Sequence, residues 1–182
     1  ARKIRMKERT VTTVNAGGSL GGNGTVGNTA INGGTLSPGN SIGTLTVQGN
    51  LVLTSASSYM VEVAPSTADR VNVTGTAALG GATVNASFAT GSYISKQYTI
   101  LNAAGGVTGT FGSQVNTNLP SNFTSSLSYD GNNAYLNLSL NYVPPTPPTP
   151  VAPTFPVMNG NQWAIAQALI NYFNRNGGIP FV

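Results

Sequence analysis

The sequence predicts an all-β fold, a right-handed parallel β-helix (solenoid) in which short strands stack along a coil. Apolar residues alternate in runs of a few residues, such as Leu51 and Leu53, and strands so short do not form a stable hairpin alone. Glycine and asparagine separate these runs, and both residue types suit tight left-handed corners. The pattern returns at intervals of about 20 residues, which is typical of a solenoid.

The repeat is clearest between residues 14–26 and residues 31–45. The offset between matching residues starts at 17, falls to 16 and widens to 19 across an insertion around Pro38. Because proline cannot donate a hydrogen bond to a ladder, we expect Pro38 in a corner. The matched pairs are Val14-Asn15 with Ile31-Asn32, Gly17-Gly18 with Gly33-Gly34, Ser19-Leu20 with Thr35-Leu36, and Thr25-Val26 with Thr44-Leu45.

Residues 14–87 are predicted to form the rungs of the β-helix, and residues 51–86 show the cleanest alternation. Alternate residues of a strand face opposite sides, so one set points inward and the other outward. The small residues Ala77, Ala78 and Ala82 suit a narrow interior. The other residues expected to point inward are Leu51, Leu53, Tyr59, Val61, Val63, Val71, Val73, Val84 and Ala86.

Residues 88–142 are predicted to cap the last rung. Bulky side chains such as Phe88, Tyr98 and Phe111 replace the small ones found earlier. Asp130-Gly131 divides two alternating runs, as a hairpin turn does. The end of a solenoid exposes unpaired backbone groups, which invite aggregation unless they are covered.

The first segment, residues 1–13, is a basic leader. Five of the eight basic residues fall in its first nine positions, so the net charge of +4 belongs to this segment. We interpret it as a vector-derived or loosely ordered extension. Aromatic residues do not interleave with the basic ones and no folded basic face supports them, so we expect no nucleic-acid partner.

Two further segments follow the predicted cap. Residues 143–158 hold seven of the eleven prolines and predict an extended linker of polyproline II type. Residues 159–176 predict an α-helical linker segment, because Asn159 and Gln162 form a capping-box pattern. Gly177, Gly178 and Pro180 end the helix and leave residues 177–182 as a tail. The apolar stripe of the predicted helix is Trp163, Ile165, Leu169 and Phe173.

The composition argues against most catalytic and metal chemistry. The chain has no histidine and no cysteine, which removes the usual base of a nucleophilic triad and the usual zinc ligands. We therefore predict no catalytic residue, no metal and no cofactor. Asp69-Arg70 is the one pair that a β-helix lyase could use. We expect Asp69 at a corner, with Arg70 solvated or paired to it, because neighbours on a strand face opposite sides.

Four segments in fixed order carry a family resemblance. They are GGNGTVGNTAINGGTLSPGNSIGTLTVQGNL (21–51), DRVNVTGTAALGGATV (69–84), YTILNAAGGVTGTF (98–111) and LSYDGNNAYLNL (127–138). Over residues 14–142 the chain resembles the C-terminal passenger region of bacterial autotransporters, the type V secreted proteins. Residues 161–169 resemble the helical linker that leads into the outer-membrane β-barrel of that family.

The resemblance implies an autochaperone, a region that folds first and on which the rest of the passenger stacks. It also implies a place on the bacterial cell surface or outer membrane, or secretion. The implied partners are the protein's own outer-membrane β-barrel, an upstream passenger and the outer-membrane assembly machinery. The residues expected in the folding nucleus and cap are Leu79, Tyr98, Ile100, Phe111, Tyr129, Tyr135 and Leu138.

The expected function is therefore that of a non-enzymatic structural segment of an adhesin or virulence factor. An alternative is a module that binds a glycan or a host-surface ligand through asparagine and threonine ladders and exposed aromatics such as Tyr59 or Tyr93. A β-helix polysaccharide lyase is less favoured, because the acidic residues are too few to supply both metal ligands and a base.

Overall fold

A computed structural model describes residues 11–142 and 158–177 of the chain. Residues 143–157 of the linker predicted at 143–158, residues 178–182 of the tail predicted at 177–182 and residues 1–10 of the leader predicted at 1–13 lie outside these ranges. The strands are β1 Thr12–Asn15, β2 Ser19–Gly22, β3 Gly24–Val26, β4 Thr29–Asn32, β5 Thr35–Pro38, β6 Thr44–Val47, β7 Leu51–Leu53, β8 Ser58–Val63, β9 Arg70–Val73, β10 Ala77–Ala78, β11 Thr83–Phe88, β12 Lys96–Ala103, β13 Val107–Thr108, β14 Ser113–Thr117, β15 Phe123–Tyr129 and β16 Asn133–Leu140.

The strands stack in threes, and every third strand belongs to the same sheet. The first sheet has the order β1-β4-β7-β10-β13 and the second has the order β2-β5-β8-β11-β14. The third sheet runs β3-β6-β9-β12 and then β16 and β15. Pairing is parallel along each of these stacks, except around β16. The predicted all-β fold of stacked parallel coils is confirmed.

The register confirms two of the predicted repeat matches and corrects a third. Val14 lies opposite Ile31 and Leu20 lies opposite Leu36, as expected. Thr25, however, lies opposite Thr46 and not opposite Thr44. A threonine followed by an aliphatic residue occurs at both 44–45 and 46–47, and a shift of two residues leaves every side chain on the same face. The local pattern therefore fits both registers.

The interior of the coil holds the side chains expected there. The nine residues of the alternating set that runs from Leu51 to Ala86 are all buried, as predicted. Ala78 differs, because it follows Ala77 directly in β10 and so faces the other side, where it is half-buried. Pro38 is the buried last residue of β5 instead of a corner residue, and the N–H of Gly39 continues the ladder by donating to Gly22.

The parallel stacking continues past residue 88 before the chain reverses. β12 still pairs in parallel with β9, while β16 inserts antiparallel between β12 and β15. The turn predicted at Asp130-Gly131 joins β15 to β16 and is confirmed. The first sheet begins with β1 at Thr12, inside the segment that the sequence assigns to the leader.

The helix α1 is Gly160–Asn176, and it contacts the coil near its C-terminal end. The predicted capping box is present: the Asn159 side chain accepts from the Gln162 amide, and the Gln162 side chain accepts from the Asn159 amide. The Phe173 ring packs edge-on against Tyr142, with ring centroids 5.9 Å apart. No helix within the described ranges has the length and apolar character that a membrane span requires.

Candidate functional site

One end of the coil is closed by a column of aromatic rings. The Phe111 ring lies between Tyr59 and Tyr129, with centroid distances of 5.7 Å and 6.3 Å. These residues belong to three different levels of the structure, since Tyr59 is in β8, Phe111 precedes β14 and Tyr129 ends β15, and β11 lies between β8 and β14 in the second sheet. The aromatic column therefore links, by ring contacts, parts of the coil that are far apart in sequence.

Two hydroxyl groups fix this column to the backbone. The Tyr59 hydroxyl donates to the carbonyl of Ile100, and the Phe111 amide donates to the Tyr129 hydroxyl at 3.0 Å. Burial raises the pKa of both tyrosines above its usual value. Both hydroxyls therefore stay protonated at neutral pH, as the Tyr59 donor bond requires.

A second aromatic group lies beside the column and contains Tyr93. The Tyr93 ring packs edge-on against Phe88 and Phe123, and the ring centroids are 5.9 Å and 6.4 Å apart. Its hydroxyl lies 2.8 Å from the carbonyl of Val63 and 2.7 Å from that of Ala89. Tyr59 is not the exposed ring that a glycan-binding module was expected to use, because it is fully buried, and Tyr93 is half-buried against the core.

The remaining residues of the expected nucleus occupy two kinds of position. Leu79, Ile100 and Leu138 are buried in the interior, and so is the ring of Tyr98, whose hydroxyl donates to Pro65. Tyr135 differs, because the residues on either side of it in β16 point inward. It lies on the outer face of the hairpin instead of in the aromatic column.

The turn between β15 and β16 is held by the carboxylate of Asp130. This group accepts hydrogen bonds from the Tyr135 hydroxyl and from the amides of Asn132 and Asn133. These bonds, that from Tyr135 first, lower the pKa of Asp130 to about 2. The Asn132 side chain in turn donates to the carbonyl of Ala103 at 2.7 Å, so the turn sits on the corner between β12 and β13.

The opposite end of the coil has no such closure. β1, β2 and β3 are the outermost strands there, and within the described ranges nothing pairs with their free edges. Leu20 and Val26, which extend the interior at this end, are only half-buried. At the aromatic end the edge of β14 is also unpaired, so the cap closes the interior and one corner but not every backbone edge.

Asparagine side chains bridge successive corners, a role that the sequence reasoning missed. The side-chain oxygen of Asn28 accepts from the backbone amide of Asn50 at 2.8 Å. The side-chain oxygen of Asn50 accepts in the same way from the backbone amide of Thr76 at 3.0 Å. Asparagine was expected to supply left-handed backbone, but among described residues other than glycine only Ser41 and Asn118 have positive φ. The Gly-Asn pairs at 27–28 and 49–50 are the feature of the sequence that could have indicated these bridges.

Asp69 holds the inserted loop 39–43 against the next coil. Its two carboxylate oxygens accept from the amides of Gly43 and Glu62, each at 2.8 Å. Burial raises the pKa of Asp69, and the two amide bonds oppose that rise. Of the two alternatives expected for Arg70, solvated or paired to Asp69, the pairing is not seen among the described residues. The two side chains therefore do not form one site.

Comparison with models of known protein families gave no match for this chain. A search of curated proteins likewise found none that is significantly similar. The functional interpretation therefore depends on the geometry described above and on the residues that carry the resemblance.

Proposed function

We propose that this chain is the non-enzymatic C-terminal part of an autotransporter-type passenger, in which the aromatic end nucleates folding and supports surface display. The observation that carries the proposal is the difference between the two ends of the coil. One end is closed by the Tyr59–Phe111–Tyr129 column, whereas at the other end no described strand pairs with the outer edges of β1, β2 and β3. Further coils can add to those open edges by parallel pairing.

The aromatic end also has the contacts that a folding nucleus needs. The hairpin of β15 and β16 forms by a short turn, so little chain entropy is lost in closing it. β16 then pairs with β12 and buries Ala134, Leu136 and Leu138. Solenoids fold by adding neighbours to a stable unit, and local contacts make that unit form quickly.

Refolding kinetics of the full 182-residue chain test the nucleus. Phe111→Leu alters the closed end, and Val14→Ala is the matched change at the open end. We expect Phe111→Leu to slow refolding, with a φ-value of about 0.5 or more, and Val14→Ala mainly to speed unfolding, with a φ-value of about 0.3 or less. The reverse ranking would contradict a nucleus at the aromatic end.

Surface display is tested in the bacterium that makes the protein. Leu79 is fully buried, so Leu79→Asp places an unpaired charge in the core and is expected to abolish the protease-resistant surface product. Val52→Asp is the matched control, because Val52 is 45% exposed on β7. Normal display of Leu79→Asp would remove the proposal that this end must fold for export.

A further inference from the structure

A polar groove lies beside the third sheet. It has a volume of about 350 Å³ and is bounded by residues of β6, β9 and β12 and by the loop at 66–68. Thr44 lies directly opposite Arg70 in the register of β6 and β9. Two cations, Arg70 and Lys96, line this groove, and none of its described lining residues is acidic.

The Nε group of Arg70 has no hydrogen-bond acceptor among residues 11–142 and 158–177. The Nε atom is buried. The nearest acid in sequence, Asp69, is engaged by two backbone amides. A buried donor without an acceptor is rare in folded proteins. A ligand in the groove cannot reach the buried Nε, but the two Nη groups of a guanidinium also bind a carboxylate or sulfate with two parallel bonds.

The Lys96 ammonium is held in place before any ligand arrives. It donates to the carbonyl of Ser66 at 2.6 Å and lies 5.2 Å from the centre of the Tyr98 ring. An ammonium has three donors, so donors remain for a ligand. Because these contacts already order the side chain, binding loses less rotamer entropy than it would for a free lysine.

We propose that this groove binds an acidic saccharide, with its carboxylate or sulfate group between Arg70 and Lys96. The hydroxyls of Thr44 and Thr99 and the amide of Gln97 line the same groove and would contact the hydroxyl groups of the sugar. The volume lies at the lower end of the usual range for small-ligand sites, about 300–1,000 Å³. This goes beyond the proposed scaffold function and does not depend on it.

The groove fits a nucleic acid less well. Single strands are bound by exposed aromatic rings that stack on bases, together with a row of cations along the backbone. Here the Tyr98 ring is buried, and the groove has two cations among its lining residues instead of a row along a strand. A charged group carried by a polar, hydroxyl-rich molecule matches these features better.

The test is calorimetric titration of the full chain with a galacturonic-acid trisaccharide and with a sulfated disaccharide. Maltotriose, which is neutral, is the ligand control. Arg70→Gln with Lys96→Gln is expected to weaken binding of the acidic sugar by about tenfold or more, since hydrogen bonds to charged groups are lost. Arg70→Lys keeps the charge but loses the fork, and should weaken binding less. Whichever acidic sugar binds more tightly identifies carboxylate or sulfate as the preferred group.

The basic leader is the main rival as a polyanion site, so a second variant changes its five basic residues to glutamine. We expect this variant to keep one-to-one binding of the acidic sugar. Loss of binding in the leader variant, with no change in the Arg70 and Lys96 variant, would overturn the proposal. Binding of maltotriose as tight as that of the acidic sugar would also overturn it. The same holds if a single-stranded DNA oligomer binds more tightly than the acidic sugar and the two groove substitutions weaken that binding.

Discussion

Replacing Tyr59 by phenylalanine isolates the hydroxyl that joins two coils. The pairing of β12 with β16 shifts between Thr99 and Leu101, so Ile100 is the extra residue of a β-bulge. Its carbonyl accepts from the Tyr59 hydroxyl, and both residues are fully buried. Phenylalanine keeps the ring stack on Phe111, so the loss is confined to the hydrogen bond. We expect a cost of about 1–3 kcal/mol, the penalty for leaving one buried polar group without its partner.

Urea unfolding at neutral pH measures this loss as a lower midpoint with an unchanged slope. Tyr172→Phe is the control, since Tyr172 is exposed on α1 and its change should stay within about 0.5 kcal/mol. Burial raises the pKa of Tyr59, so its contribution is complete below the usual tyrosine value of 10.0 and is lost as pH rises further. The two proteins should therefore converge in stability at alkaline pH. A neutral-pH difference below about 0.5 kcal/mol would refute the assigned role of the hydroxyl.

Three further changes probe the hairpin turn, the corners and the helix. Hydrogen bonds, that from Tyr135 first, lower the pKa of Asp130 from 3.8 to about 2, so its contribution is present above 3.8 and disappears as pH falls through 2. Melting temperatures should therefore fall more between pH 4 and pH 2 for the unchanged protein than for Asp130→Asn, and parallel curves would contradict this. Gly75→Ala brings a Cβ into collision with the Asn50 side-chain oxygen, whereas the Cβ of Gly131→Ala meets nothing within 4 Å. Urea unfolding should therefore show a loss of stability of about 1–3 kcal/mol for Gly75→Ala alone. Equal losses for the two variants would refute the role of the Gly75 corner. Phe173→Ala should increase hydrogen exchange at the C-terminal end of α1 without changing exchange in the coil, and unchanged exchange in α1 would show that the ring contact does not hold it.

Local pattern was sufficient to predict the stacked strands and their inward residues. Strands such as β8 alternate visibly, as in Val61 and Val63, and the glycine corners mark where one strand ends. The capping box at Asn159 and the turn at Asp130 were equally readable, because each depends on residues only a few positions apart. What these features share is that the interacting groups are neighbours in sequence, so the sequence shows both partners at once.

The bulge at Ile100 illustrates what the sequence could not predict. Ile100 and Leu101 are both buried, although strict alternation would turn one of them outward. The bulge depends on the antiparallel arrival of β16 and on an acceptor site for a hydroxyl 41 residues away. No local pattern contains those partners.

The sequence by itself determined that this protein is a coil of short parallel strands with an aromatic end. Only the tertiary structure decided the register of β3 with β6, the insertion of β16 beside β12, and the meeting of Arg70 with Lys96 across one groove. The physical reason is the same in each case. Alternation specifies which face a residue takes, but it is unchanged by a shift of two residues, so packing between distant coils selects among registers that are locally equivalent.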